Sequence, residues 1–310
     1  MQFWSSLAAV PAACSPSVVT VGKFDGVHLG HQELLKTARD IAAAHGFTAV
    51  CVTFDRHPDA LLAPHRLQPS LIGPTQKAEL IAADGVDAML ELPFDEALAN
   101  LAPRDFVEQI LVTALNAKHV VVGEDFRFGC RGAGTVQLLT ELGAEFGFEV
   151  SAIAPVLVDG QRVSTSLVRQ LLDAGEVGIA ARLLGRAHST RGPVEHGLKL
   201  GRQLGFPTAN IARSAEGFLP LDGIYAGWLI TDGTRYPAAL SIGINETLQA
   251  VPRVLEAHVL DRDDLDLYDK TVTVEYTSFL RHPAKFSGME ELISAIRQDC
   301  DAIREILTRD

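Results

Sequence analysis

The stretch S-V-V-T-V-G-K-F-D-G-V-H-L-G-H, residues 17–31, constrains this chain more than any other. It opens on a β-branched run, Val18, Val19 and Val21, with the length and content of a buried strand, and it breaks at Phe24-Asp25-Gly26. A helical pattern follows through Leu34, Leu35, Ala38, Ile41 and Ala42, with Gly46 to close it. His28 and His31 fall at the mouth of that helix, spaced so that both rings share one face. A helix N-terminus offers free N–H groups and partial positive charge, which favour a phosphate guest. Imidazoles held there can donate to phosphoryl oxygens as charge develops on them. Two solvated loop histidines are the plain alternative, and the strand–glycine–helix frame weighs against it.

The same alternation continues to about Ala154. Strands are expected over 18–22, 48–54, 88–92, 119–123 and 148–153, with helices starting near Leu29, Thr75, Pro103 and Thr135. Such alternation reads as an α/β domain with a doubly wound parallel sheet, whose ligands sit beyond the carboxyl ends of the strands. A hairpin turning at Asp159-Gly160 leads into a helical pair ending near Gly185. After Arg186 the texture becomes short, glycine-punctuated stretches over 223–231, 236–242, 256–260 and 271–279, with Asp232-Gly233 as a hairpin turn. This second part reads as an antiparallel β-barrel, followed by a C-terminal helix from about Met289. The change of pattern sets two domains, 1–185 and 186–310, and 310 residues suffice for each to bury its own core.

A net charge of −12 with no Lys/Arg block argues against a long nucleic acid as partner but leaves small anions open. The scattered Cys14, Cys51, Cys130 and Cys300 form no C-x-x-C pair, which argues against a disulfide framework or zinc site. Neither a signal peptide nor an apolar run of membrane-spanning length is apparent, so no membrane partner and a cytoplasmic location are expected. The sequence leaves oligomeric state open, a homo-oligomer included.

Four further strings carry chemistry. T-F-D-R-H-P (53–58) ends a strand, and V-V-V-G-E-D-F-R-F-G (120–129) brings an acidic-aromatic turn to the same sheet edge. R-V-S-T-S-L-V-R (162–169) runs hydroxyls and arginines onto a helix N-terminus, where an N-cap cluster is the ordinary alternative. G-R-Q-L-G-F-P-T-A-N (201–210) has the glycines of a phosphate-approaching turn, and no Walker loop occurs.

The H-x-G-H of the first stretch resembles the nucleotidylyltransferase signature, and G-x-F-D-G-V-H-x-G-H resembles the form found in bacterial FAD synthetases. That resemblance implies a nucleotide site from Gly22, Phe24, Asp25, Gly26, His28 and His31, with the two histidines catalytic. It implies a phosphate-binding run Arg162, Ser164, Thr165, Ser166 and Arg169, where the family has R-I-S-S-T-x-I-R. It also implies flavin contacts from Phe54, Asp55, His57 and Pro58, where Arg56 replaces the proline of F-D-P-H-P. Asp125 would accept from the isoalloxazine edge, with Phe126 or Phe128 beside it.

The 201–210 string resembles the riboflavin kinase signature. By that resemblance Gly201, Gly205, Phe206, Pro207, Thr208 and Asn210 bind nucleotide, with Thr208 and Asn210 also holding magnesium. Glu256 of E-A-H-V-L-D corresponds to the family's general base for a primary hydroxyl. The match runs on through D-L-Y, V-E-Y, F-L-R and K-F-S-G to the last helix. Its departures are Ile244, Glu246 and Leu248, where the family has G-T-N-P-T-F, and Asp269, where it has the glycine of D-L-Y-G.

The resemblance covers essentially the whole chain. It implies a bifunctional enzyme that phosphorylates riboflavin to FMN with MgATP, then adenylylates FMN to FAD with release of pyrophosphate. The departures motivate one alternative, an FMN adenylyltransferase with a decayed or altered kinase half. A non-catalytic flavin or nucleotide sensor on the same scaffold is the other.

Overall fold

The computed structural model describes residues 1–11, 15–57, 59–196, 201, 204–245 and 251–309, without the side chains of Arg66, Ile244, Asn245, Val251 and Pro252. Cys14, Pro58, Glu246 and Leu248 lie outside the described residues. The chain divides into two compact units, Met1–Ser70 with Pro74–Ser164, and Leu71–Gly73 with Thr165–Asp310. The second begins ahead of the pattern change at Arg186 because the helices Thr165–Asp173 and Val177–Leu184 bury Val168, Leu172, Ala180 and Leu183. The Leu221 amide also donates to Leu172 O at 2.9 Å.

The first unit is built on six parallel strands: β1 (Gln2–Trp4), β2 (Ser17–Val21), β3 (Thr48–Phe54), β4 (Ala88–Leu92), β5 (Ala117–Gly123) and β6 (Glu149–Ile153). Their order is β1-β4-β3-β2-β5-β6, so β2 lies in the middle and the order reverses across it. Every residue of β2 is buried, as its unbroken β-branched run requires. Helix α1 (Leu29–His45) closes at Gly46 with φ 67°, and helix α2 (Pro74–Ala83) precedes β4. The segment from Pro103 starts as expected but becomes a π-helix over Val107–Ala114, which turns Val107, Ile110 and Leu111 into the core. A small hairpin of β7 (Leu157–Val158) and β8 (Gln161–Arg162) follows the sheet, with Asp159 and Gly160 both at positive φ.

The second unit closes β9 (His188–Glu195), β10 (Ala209–Ile211), β11 (Gly223–Thr231), β12 (Thr234–Asn245), β13 (Val251–Val259) and β14 (Thr271–Arg281) into an antiparallel barrel. Tyr225, Leu229, Leu240, Leu255, Val274 and Tyr276 are buried. The last helix, Met289–Thr308, packs Cys300, Ile303 and Leu307 with Ala226 and Leu260.

His188 sits in that interior, 2% exposed, its Nε2 at 2.6 Å from Phe218 O and its ring stacked on Tyr276. Burial holds its pKa down at about 4, against the partly opposing hydrogen bond to Phe218. The unfolded chain therefore binds the extra proton first, so barrel stability is intact above the ordinary histidine range and falls as pH drops toward 4. The full effect is about 3 kcal/mol. In a Trp4→Phe background, the urea midpoint read by Trp228 fluorescence should fall between pH 7.5 and 5, and His188→Gln should flatten that dependence.

Candidate active sites in the two units

Between β2 and α1 the backbone turns through three residues of positive φ, Phe24 (50°), Gly26 (83°) and Val27 (38°). Val27 is β-branched, so its value is strained, and such strain clusters at functional sites. The turn is held by burial: Phe24, Asp25, Val27 and His28 are all 9% exposed or less. His28 caps α1, its Nδ1 accepting from the His31 amide at 3.3 Å. That acceptor role leaves the proton of the neutral ring on Nε2. The His28 and His31 rings stack at 3.7 Å and 13°, and Phe24 lies 5.1 Å from His31. A Cβ at Gly30 would come within 3.2 Å of the His28 ring, so glycine leaves room for the cap. Burial, and then His28, holds the His31 imidazole well below the usual histidine pKa, and its Nδ1 is buried without a partner. The turn therefore sets a His31 ring that burial keeps neutral, stacked on buried His28, at a positive helix end.

The β3 exit joins this edge. Thr53 Oγ1 donates to Lys23 O at 3.1 Å, and Lys23 Nζ stands 2.9 Å from His57 Nε2. His57 Nδ1 accepts from the Asp59 amide at 3.1 Å. Asp55 accepts from the Phe94 amide at 2.8 Å and pairs with Arg56 at 2.9 Å. Burial pushes the Asp55 carboxyl up, but Arg56 and the Phe94 amide outweigh it and hold the group low. Lys23 lies inside the motif, yet sequence alone gives it no role, because a lysine after a strand is ordinary surface chemistry.

At the β5 exit, Asp125 and Arg162 form an exposed ion pair that joins the G-E-D-F turn to the hairpin. Phe128 is 5% exposed and packs on Phe106, so Phe126, partly buried and stacked on Phe128, is the ring with surface to offer. Gly22 and Ser164 lie in the first unit with these groups; Thr165, Ser166 and Arg169 belong to the second.

In the barrel, the Phe206 amide closes a turn onto Gly201 O at 2.8 Å. A Cβ at Gly201 would meet Phe206 O at 2.4 Å, so this turn demands glycine there. Gly205 sits at φ 85°, and Pro207 O is fixed by His258 Nδ1 at 2.8 Å. Asn210 pairs directly with Glu256 across β10 and β13, and Glu256 with Ser241 across β13 and β12. Directly paired residues share a face, so amide, carboxylate and hydroxyl line up on one side of the barrel wall. Burial pushes the Glu256 carboxyl up. Thr208 and Asn210 line a cleft with Arg262, Asp263 and Tyr268. Among the described residues no three His, Cys, Asp or Glu side chains converge as a metal cluster. The neutral oxygens of Thr208 and Asn210 fit instead a hard cation that arrives on nucleotide phosphates.

Asp269 occupies φ 61° and its amide donates to Val194 O at 3.0 Å. The residue that stands where the family has glycine is thus left-handed in this chain, and aspartate is among the residues that tolerate that conformation. Ile244 is described only in its backbone, and Glu246 and Leu248 lie outside the described residues.

A parallel sheet that delivers histidines to a helix mouth, followed by a barrel with its own phosphate-approaching turn, defines a two-part nucleotide-using protein. The FAD synthetase family model matches residues 10–167 and the riboflavin kinase model residues 184–307. The bifunctional riboflavin kinase/FMN adenylyltransferase of Pseudomonas fluorescens is 38% identical over 290 residues, covering 93% of this chain and 92% of that one. That of Listeria monocytogenes is 36% identical over 284 residues, covering 91% and 90%. A solved Streptococcus pneumoniae structure, described as a macrolide-efflux protein, superposes with TM-score 0.88 at 30% identity, covering 97% and 98%. Among the described residues no helix is long and apolar enough to cross a membrane. The chain belongs to the bifunctional riboflavin kinase/FMN adenylyltransferase family.

Proposed function

We infer that this chain makes FAD from riboflavin in two ATP-dependent steps, phosphorylation in the barrel and adenylylation at the parallel sheet. The observation that carries the reading is the stacked His28–His31 pair at the mouth of α1, with His28 as its cap. In the adenylyl step an FMN phosphate oxygen attacks the α-phosphorus of ATP, the α–β bridging bond breaks, and pyrophosphate leaves. A phosphate monoester is already anionic, so the site needs donors rather than a base. His28 and His31 are proposed to stabilise the charge on the α-phosphoryl oxygens. Arg162, Ser164, Thr165, Ser166 and Arg169 would take the remaining phosphates, and Phe54, Asp55, His57, Asp125 and Phe126 the flavin.

In the kinase step the ribityl 5′-hydroxyl attacks the γ-phosphorus of ATP while Glu256 takes its proton, the β–γ bridging bond breaks, and ADP leaves. The register beside Asn210 supports this role for Glu256. Thr208 and Asn210 would hold magnesium, which neutralises phosphate charge when bound. The left-handed Asp269 supports an intact kinase turn over a decayed one. Free, buried Cys51 and Cys300 suit a reducing cytoplasm.

Incubating the protein with riboflavin and MgATP and resolving flavins by chromatography should show FMN first and FAD after it. With chelator in excess of all divalent cation, both products should fall below a few per cent of control. Full turnover of either step under chelation would rule out the cation in that step, and FMN-to-FAD conversion with riboflavin untouched would leave the adenylyltransferase alone.

A further inference from the structure

The end of β3 carries a device that the adenylyl reading does not use. The ladder to β4 runs one step past the strand, with the Asp55 amide donating to Leu92 O at 3.1 Å. The Phe54 carbonyl instead accepts from Lys77 Nζ of α2 at 2.7 Å. Lys77 is only 8% exposed, and its ammonium is balanced by Glu91 of β4 at 3.1 Å. Stability does not call for this arrangement. Desolvating two charges costs about what their attraction returns, and apolar residues of like volume commonly hold a helix on a sheet as well or better. What an apolar pair cannot supply is a directional bond to one chosen carbonyl.

That carbonyl belongs to the peptide that leads into Asp55, Arg56 and His57. Its neighbour Thr53 is bonded to Lys23 O, and Lys23 Nζ meets His57 Nε2, so rotation of this peptide would shift the β3 exit against the H-x-G-H turn. We propose that Lys77 is a positioning residue for adenylyl transfer, fixing the Phe54 peptide so that Asp55 and His57 stand correctly beside His28 and His31. The inference rests on the reading that residues 54–57 line the first site.

The test uses the full chain, with riboflavin phosphorylation as an internal measure of folding. Lys77→Met combined with Glu91→Leu removes the bond without stranding a charge. Its kcat/KM for FMN adenylylation should fall about 10- to 100-fold, as misplacement of site groups on the order of 1 Å does. Most of the loss should appear as KM for FMN. Glu91→Gln keeps the ammonium on Phe54 O and should stay within about twofold of wild type, even where its thermal midpoint drops. A purely structural role would make the loss follow the midpoint and spread to both activities. Wild-type adenylylation by the folded double variant, alongside a loss in His57→Ala, overturns the proposal. Wild-type adenylylation in His57→Ala and Asp55→Asn as well overturns the site reading beneath it. If the double variant loses its kinase activity in parallel, the role is structural and the proposal is overturned.

Discussion

Replacing His28 and His31 together by alanine is expected to lower FAD formation from FMN by at least about 10²–10³-fold while riboflavin is still consumed and FMN accumulates. The magnitude follows from what the pair is. Each preorganised donor to a transition-state oxygen is commonly worth that factor, and these two are held by a buried turn, with His28 itself only 6% exposed. The His31 ring is neutral near pH 7, since burial holds its pKa low, so the contribution is hydrogen bonding rather than ion pairing. The double variant also loses the His28 cap, which costs about 1 kcal/mol of helix stability. His28→Asn is the control, because asparagine caps equally well yet offers no imidazole. Chromatography of flavins after a fixed time should show FMN and almost no FAD for both variants. Parallel loss of riboflavin phosphorylation in a folded protein would refute the division of chemistry between the units.

Legibility in the sequence differed between elements for physical reasons. Strands β3 and β4 were read at their observed bounds because buried parallel strands are continuous apolar runs with polar edges. Strand β1 is not legible in the sequence, since three residues carry no period and only pairing with β4 makes them a strand. Strands β9 and β10 escaped for related reasons: Ser189, Thr190, Arg191 and Pro193 look like a loop, and Ala209–Ile211 is too short to declare itself. Helical spacing marks the segment after Pro103 but carries no signal of the π winding over Val107–Ala114, which only the fold reveals.

The site was legible where it is contiguous and illegible where it is assembled. The turn from Phe24 to His31 is one string, so its histidines could be placed before any fold was known. Lys77 reads as the polar face of a helix, and only the fold shows that its ammonium ends on the Phe54 carbonyl. The pairing of Asp125 with Arg162 likewise joins two motifs that the sequence presents separately. Asp269 runs the other way. By sequence it is a lost glycine, whereas its positive φ shows that the aspartate adopts a backbone conformation that glycine favours.

Glu256→Gln is expected to cut riboflavin phosphorylation by about 10²–10⁴-fold and leave the conversion of added FMN to FAD unchanged. Glutamine preserves volume and the strand, so what disappears is the carboxylate that takes the ribityl proton. The sign of the stability change separates this from unfolding. Burial raises the Glu256 pKa, so the folded barrel disfavours the charged form that prevails at neutral pH. Removing the charge therefore removes a destabilising group, and the thermal midpoint of the barrel at pH 7.5 should stay level or rise as kinase activity collapses. The same raised pKa shapes the pH profile. In wild type the kinase rate should decline as pH falls through a value above the ordinary glutamate range, as the base is protonated. The residual rate of Glu256→Gln should lack that limb, whereas an unchanged limb would assign it to another group and remove Glu256 from the role of base.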